Sequence, residues 1–519
     1  MDKKKAYIIK VALIVALGGF LMGFDASVIS GVVKFIEPEF DLTKIELGWS
    51  VSSLTLSATL AMIISGPLSD RIGRRTVLRY AAILYAISAI GSAFAPNFIF
   101  LVIARMIGGL GVGASLIIAP MYIAEIAPAR MRGQMVSFNQ LNIVLGISVA
   151  FFTNYLILQI GQSEASWAQS LGFSEYNWRW MLGLETLPAI LYFIGLFFVP
   201  RSPRWLCMHT EYDEALTTMT KVSGEENANL EMEEIKVNLQ KETKKEKLPI
   251  TELFKPALRL VLIIGIVIAV LQQITGINSV FFYAPMIFEQ SGIGTDASFV
   301  QAILVGLINL VFTVIAILYI DKLGRKPLLI GGVLGISICM MVLAYSFGTA
   351  TYTLTAESIQ NLPAGFDQNS ISSLLGQTFE SDVEFKNALI SSIGNDLATT
   401  YESNLITAGI SMNGTLVLIG ILGFVASFAI SIGPVMWVLF SELFPNKIRG
   451  LAISFVGFIN SGISFLVQLV FPWELANFGS AMTFFIYGIF AILGLLFILK
   501  FIPETKGKSL EELEKFLVK

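Results

Sequence analysis

Gln272-Gln273-Ile274-Thr275-Gly276-Ile277-Asn278 is the stretch on which the reading of this chain turns. It lies inside an apolar segment running from about Leu260 to Phe288. Two adjacent glutamines and an asparagine are costly in hydrocarbon, because each amide requires hydrogen-bond partners. On one straight helix Asn278 would lie roughly 140° around from Gln273, so a single rod cannot aim both at one ligand. Gly276 stands between them and permits a break. Amides also serve simply to join helices. Three of them around a glycine favour a water-facing site for a polar solute, of the kind that interrupted helices build at mid-membrane.

The wider composition agrees. Of 519 residues, 55% are hydrophobic and only 14% charged, and the mean hydropathy is +0.73. That balance belongs to a polytopic, all-α membrane protein. The net charge of −3 says little, because the placement of charge matters more than its sum. Cys207 and Cys339 are far apart and imply no disulfide framework. The single histidine, His209, excludes a histidine metal site and an embedded histidine proton relay. No metal cluster, nucleophile–base pair or cofactor loop is evident, so neither an enzyme nor a cofactor is expected. A G-x-x-x-x-G-K-[ST] phosphate loop is absent, so ATP hydrolysis is not the energy source, and no nucleic-acid partner is expected.

Windows of ~20 apolar residues predict twelve spans, near 7–33, 47–69, 76–95, 98–124, 134–158, 180–200, 258–288, 298–320, 327–347, 413–441, 450–475 and 479–502. The segment after Lys3-Lys4-Lys5 leads into further spans, so it reads as a first transmembrane helix and not as a cleaved leader. Basic residues cluster in alternate loops: Arg71, Arg74, Arg75 and Arg79; Arg130 and Arg132; Lys322, Arg325 and Lys326; Lys447 and Arg449. Those loops are assigned to the cytoplasm, which puts both termini inside and makes the chain a multi-pass protein of the plasma (inner) membrane.

Two polar insertions interrupt the spans. Residues 202–256, rich in Lys and Glu with helical spacing over 229–240, separate an N-terminal six-helix bundle (1–201) from a C-terminal one (257–519). Residues 348–411 form an acidic insertion on the opposite side, either a small ordered cap or a mobile loop. The halves repeat one another. Asp70-Arg71-Ile72-Gly73-Arg74-Arg75 returns as Asp321-Lys322-Leu323-Gly324-Arg325-Lys326, offset by 251. Glu125-Ile126-Ala127-Pro128 with Arg132-Gly133 returns as Glu442-Leu443-Phe444-Pro445 with Arg449-Gly450, offset by 317. The insertion accounts for the growth in offset, and a solute site is expected between homologous bundles near the midplane. The repeated loops supply carboxylates and arginines suited to a cytoplasmic latch: Asp70, Arg74, Arg75, Glu125 and Arg132 in the first half, Asp321, Arg325, Glu442 and Arg449 in the second. The pairs Glu125/Arg132 and Glu442/Arg449 are expected to cross-link helix ends.

With these motifs in order, the chain resembles the sugar porter family of the major facilitator superfamily over essentially its whole length. Further matching elements are Pro200-Arg201-Ser202-Pro203-Arg204-Trp205, Gly433-Pro434 with Trp437, and Pro503-Glu504-Thr505-Lys506-Gly507. Look-alikes are bacterial proton-coupled sugar symporters, of the xylose–proton symporter kind, and the glucose facilitators of animals. The resemblance implies the major facilitator fold, alternating access and a helical linker on the inner face. It implies sugar contacts at Gln140, Gln272, Gln273, Asn278, Trp437 and Asn460. Amides both donate and accept, which suits hydroxyl pairs, and an indole face suits the apolar side of a pyranose. Three departures stand out: Arg201 replaces the usual glutamate, Ser461 replaces a frequent tryptophan, and the 348–411 insertion is unusual.

Asp25, Arg105 and Glu185 come to similar depth in the first bundle, roughly 9–13 Å from its outer end at 1.5 Å per residue. Each alone would be costly in hydrocarbon, whereas together they can pair. One reading is a permanent ion pair that fixes helix packing. The other is a proton site at Asp25 governed by Arg105, and the resemblance favours it, since proton-coupled members carry Asp there. The expectation is a monomeric monosaccharide–proton symporter in the lipid bilayer. A uniporter of the same fold is the alternative. A non-transporting sugar receptor is a weaker one, because only about 17 residues follow the last span. Which sugar is carried stays open.

Overall fold

This computed structural model describes residues 3–128, 131–242, 249–363, 366–445, 448–506 and Glu512. Among them, ten helices are long and apolar enough to cross a membrane. Helix is the form this sequence must take in hydrocarbon, where every backbone N–H and C=O has to be paired within its own segment. The first five spans are Lys3–Glu39, Lys44–Ile72, Arg74–Ala93, Phe98–Ile126 and Arg132–Gly161. The sixth crossing is made of two short pieces, Asn177–Gly183 and Thr186–Gly195. The seventh has three pieces, Arg259–Ile274, Ile277–Phe282 and Ala284–Glu289. Thr295–Leu323 and Arg325–Gly348 are the eighth and ninth, and Gly414–Ile430 with Ile432–Leu443 is the tenth. The continuous run Arg449–Phe501 is two spans, because Gly479 within it has φ 78° and ψ 165°. Among the described residues this makes twelve crossings, close to the limits that the sequence predicts.

One break falls beside, not at, the Gly433-Pro434 motif. In the tenth span the non-helical residue is Ser431 (φ −125°, ψ −102°), two positions before Gly433-Pro434. Pro434 then sits in the first turn of the following helix, where its missing N–H removes no bond that the helix needs. In the fourth span, a Cβ at Gly109 would lie 2.3 Å from the Leu54 carbonyl oxygen, and one at Gly113 2.1 Å from that of Ala58. Small residues there let the second and fourth spans touch backbone to backbone.

The chain forms two compact units. The first comprises residues 1–27, 53–150 and 179–249. Its core includes Val11, Val15, Leu78, Tyr85, Val112, Ile118, Tyr122 and Tyr192. It also carries the linker, whose helices Pro203–Met208, Tyr212–Ser223 and Glu225–Glu242 surround a small core of Leu206, Cys207, Ala215, Met219 and Ala228. Sequence spacing signals only the last of the three. The first is nevertheless announced by Ser202, whose hydroxyl accepts from the Trp205 N–H, with Pro203 in the opening turn.

The second unit comprises residues 28–52, 151–178 and 250–519. It therefore includes one end of the first, second and fifth spans. The insertion is an ordered cap. Strands β1 (Thr351–Thr353), β2 (Thr378–Phe379) and β3 (Ile410–Ser411) form an antiparallel sheet in the order β2-β1-β3. Sheet and helices close over Tyr352, Leu354, Ile371, Phe385, Leu389, Leu405 and Ile406. These apolar residues are sparse in sequence but converge on one centre, which is why composition left the segment undecided. The cap is tied down at two places. Asp382 accepts from the backbone N–H and hydroxyl of Ser480, at 3.0 and 2.9 Å, and so caps the last helix where it restarts after Gly479. Glu402 accepts from Lys386 at 2.8 Å and Gln290 at 3.1 Å, and Lys44 lies 3.9 Å away. Burial alone would raise the Glu402 pKa, but Lys386, Lys44 and the two hydrogen bonds reverse this and lower it to about 2. Lys44 also pairs with Glu37, and Lys34 with Glu289 at 2.6 Å. Gln162 reaches Asp296 at 2.8 Å.

Candidate functional site

In the seventh span the first helical piece stops at Ile274 and the next begins at Ile277. Gly276 between them has φ +88°, a conformation that disfavours any residue with a Cβ. The break cancels the angular separation that a straight helix would impose. Asn278 Nδ2 donates to Gln273 Oε1 at 2.8 Å and to Ser464 Oγ at 2.7 Å. Gln273 Nε2 donates to Asn460 Oδ1 at 3.1 Å and Gln272 Oε1 at 3.2 Å. Asn460 Nδ2 donates to Gln272 Oε1 and to the Ala269 carbonyl, both at 2.8 Å. Gln272 Nε2 in turn reaches the carbonyls of Ile432 and Gly433, the first residues after the Ser431 hinge, at 3.4 and 3.3 Å. Two broken spans and the eleventh are thereby held in one mesh of amides.

Four of the six expected sugar contacts, Gln272, Gln273, Asn278 and Asn460, belong to that mesh. Trp437 stands outside it, 48% exposed, with its ring edge-on to Phe440 and 3.7 Å from where Gly457 would carry a Cβ. Gln140 is exposed and lies in the other unit. Ser464 and Gln468 were not anticipated. Gln468 Nε2 donates to Ser464 Oγ at 2.8 Å, and the Gln468 carbonyl accepts from the Tyr283 hydroxyl at 3.0 Å. The signal was present, because Asn460, Ser464 and Gln468 recur every fourth residue on one helix face. A mesh whose members both donate and accept can exchange its internal bonds for those of a polyhydroxylated ligand.

The first unit holds the ionisable cluster. Asp25, Arg105 and Glu185 are 1, 1 and 2% exposed. Arg105 Nη1 donates to Asp25 Oδ1 at 3.3 Å, and Nη2 to the Asp25 carbonyl at 3.4 Å. The pairing is single, not a two-pronged fork. Asp25 Oδ2, Arg105 Nε and Glu185 Oε1 have no hydrogen-bond partner among the described residues. Glu185 lies at the interruption of the sixth span, close enough for its charge to act on Asp25 and Arg105. A Cβ at Gly108 would stand 2.8 Å from Asp25 Oδ2 and 2.5 Å from Ser88 Oγ, so only glycine leaves the carboxylate its place.

The repeated loops make parallel clusters, one in each unit. Arg74 donates to Glu125 through Nε and Nη2 at 3.1 Å, and its Nη1 pairs with Asp70 at 2.7 Å. Ser202 donates to Glu125 as well, and Arg75 donates to the Val199 carbonyl at 2.9 Å. In the second unit Arg325 Nη2 pairs with Glu442 at 2.7 Å, and Thr505 donates to Glu442 at 2.6 Å. The expected Glu442/Arg449 pair is not formed. Arg325 holds Glu442, while Arg449 Nε donates to the Phe444 carbonyl at 3.1 Å and closes its own turn. The carboxylate prefers an arginine that reaches it from across the bundle, with geometry for two bonds. The side chains of Arg132 and Asp321 lie outside the described residues, so the expected Glu125/Arg132 pair and the place of Asp321 do too.

These features describe a polytopic transport protein of the major facilitator fold. Residues 11–366 and 389–517 match the family described as sugar (and other) transporter, and the gap falls in the cap. The chain is 36% identical to the arabinose-proton symporter of Bacillus subtilis over 513 residues, which cover 99% of this chain and 96% of that protein. It is 35% identical to the D-xylose-proton symporter of Escherichia coli, covering 98% of this chain and 95% of that one. The structure of the inward open conformation of the xylose transporter XylE from E. coli is similar with a TM-score of 0.73, at 33% identity, covering 98% of this chain and 100% of that chain. The chain belongs to the sugar (and other) transporter family.

Proposed function

We propose that this protein is a secondary active transporter that moves a monosaccharide, hexose or pentose, across the plasma membrane by alternating access and in symport with a proton. The observation that carries this reading is the Asp25 carboxyl. It is fully buried, holds Arg105 through one oxygen and leaves the other unpartnered. A structural ion pair in hydrocarbon is favoured when all its lone pairs are satisfied. A carboxyl with one free oxygen is suited to accept a proton there and so to loosen its hold on Arg105. Glu185 acts as the second acidic group of the cluster.

Sugar hydroxyls are bound by the amides of Gln272, Gln273, Asn278 and Asn460, with Trp437 packed against the ring and Gln140 contributing from the fifth span. The clusters around Arg74–Glu125 and Arg325–Glu442, with Asp70, Arg75, Arg132, Asp321 and Arg449, hold the cytoplasmic gate. Both termini and the linker lie in the cytoplasm, the cap lies outside, and the protein works as a monomer, without enzymatic chemistry. Residues 1–201 and 257–519 act as the two rocking halves, with 202–256 as the linker between them. Names of relatives support the class of solute: they include symporters of arabinose and of xylose with protons.

The test is uptake by the purified protein in proteoliposomes with radiolabelled D-xylose, L-arabinose and D-glucose, with and without an inward proton gradient. Concentrative uptake that collapses when the gradient is dissipated is expected. Uptake that equilibrates but never concentrates would make the protein a uniporter and the Asp25–Arg105 pair structural.

A further inference from the structure

Tyr487 lies near the start of the last span and is 3% exposed. A Cβ built on Gly276 would stand 2.4 and 2.5 Å from its Cδ2 and Cε2 atoms, so the ring edge fills the place of a side chain at the break. The ring is fixed on two sides. Its face stacks on Phe471 at 6.4 Å, and Phe471 in turn meets Tyr283 of the seventh span at 5.2 Å. Its hydroxyl donates to Glu474 Oε2 at 2.7 Å, across the Gly479 turn that separates the eleventh and twelfth spans.

From this geometry we propose that Tyr487, anchored by Glu474, is a positioning residue for the solute site: it sets the Gly276 break and through it the aim of Gln273 and Asn278. The inference rests on the reading of these amides as the sugar site. Gln273 lies in the last turn of one helical piece and Asn278 in the first turn of the next, so the direction of the break decides whether their side chains meet. A ring freed from Glu474 can swing about its Cα–Cβ bond, and the close contact with Gly276 shifts with it. The 2.8 Å bond between Asn278 and Gln273 and the 2.7 Å bond to Ser464 are the ones that would go out of register.

The test uses full-length protein in proteoliposomes and whichever of D-xylose, L-arabinose and D-glucose the unaltered protein transports. Absence of transport by the unaltered protein would overturn the proposed function itself, before any variant is compared. Tyr487→Phe keeps the ring and removes the hydroxyl. It is expected to raise KM by about three- to tenfold, the effect of one hydrogen bond, with Vmax within about twofold. Glu474→Leu should match it, and the double variant should be no worse than either single one, as for two partners of one bond. Glu474→Gln retains an acceptor oxygen and should restore KM to near that of the unaltered protein. A KM unchanged in both Tyr487→Phe and Glu474→Leu, or a loss of Vmax at constant KM, overturns the positioning role. So does a Glu474→Gln variant as impaired as Glu474→Leu. If Tyr487→Phe fails to fold, Glu474→Leu against Glu474→Gln decides the question alone.

Discussion

Arg201 and Glu504 stand at the same step of the two copies of the internal repeat and carry opposite charges. The neighbouring residues fix the correspondence: Ser202 donates to Glu125, and Thr505 donates to Glu442. Glu504 accepts from the backbone N–H groups of Arg325 and Lys326, both at 3.1 Å, and so satisfies the start of the ninth span. Arg201 instead turns to Glu211 and Glu214 of the linker, at 2.9 and 3.5 Å. The third span accordingly begins at Gly73 without a side-chain cap.

Arg201→Glu should therefore stabilise the first unit. A carboxylate at a helix start contributes about 0.5–2 kcal/mol, whereas the exposed pairs lost with Arg201 are worth roughly 0–1 kcal/mol. Glu504→Ala should destabilise by about 1 kcal/mol, for the same reason in reverse. Thermal unfolding in detergent measures both. A lower midpoint for Arg201→Glu would mean that the linker contact outweighs the missing cap.

The amide mesh makes a second expectation. Gln273→Ala or Asn278→Ala should weaken sugar binding by about 1–3 kcal/mol, since a buried hydroxyl loses its partner. Gln273 takes part in three bonds of the mesh and Asn278 in two, one of them to a Ser464 that Gln468 also serves, so Gln273→Ala should be the more severe of the two. Calorimetric titration with D-xylose and L-arabinose, alongside size-exclusion profiles that report folding, checks the order.

Coupling provides the third. Asp25→Asn keeps the size and polarity of the side chain but cannot titrate. Accumulation under an inward proton gradient should vanish, while sugar binding and exchange persist, because the amide mesh belongs to the other unit. Glu185→Gln should weaken coupling less. Gradient-driven uptake by Asp25→Asn equal to that of the unaltered protein would leave Asp25 only a structural partner of Arg105.

The fourth concerns acid. The Glu402 carboxyl is held at about 2 in the folded cap, below the ordinary value of 4.5. A depressed carboxylate pKa contributes stability that is complete above the unfolded value and is lost as pH falls toward the folded one. The attachment of the cap through Glu402 should thus be intact at neutral pH, weaken below about pH 4.5 and be gone near pH 2. Hydrogen exchange in Asp382–Ile393 and Glu402–Gly409, followed against pH, reads this directly. In Glu402→Gln the same segments should exchange faster at neutral pH and show little acid dependence.

Local sequence carried the spans, the Gly276 break and the three amides beside it, because hydropathy, a lone glycine and buried amides are each visible within a few residues; Asn460 came only through the family resemblance. It could not carry contacts between distant segments. Lys34 and Glu289 are 255 residues apart, and nothing near either points to the other. Glu442 offered two plausible arginines, and the choice of Arg325 over Arg449 depends on helix packing. The hinge at Ser431 falls two residues before Gly433-Pro434, because proline reports where a helix can begin, not where the preceding one stops. The cap stayed undecided because a small core assembled from scattered residues leaves no periodic trace.

The bond between Asp382 and Ser480 spans 98 residues. During synthesis the cap therefore leaves the ribosome well before the helix whose start it completes. Until the final hairpin enters the bilayer, Asp382 waits without its partner, and that hairpin in turn finds its end already prepared. Shortening the insertion would then do more than trim a surface feature. It would remove the docking point for a helix made after it, and the expected cost is a defect in biogenesis, seen as lower yield of assembled protein.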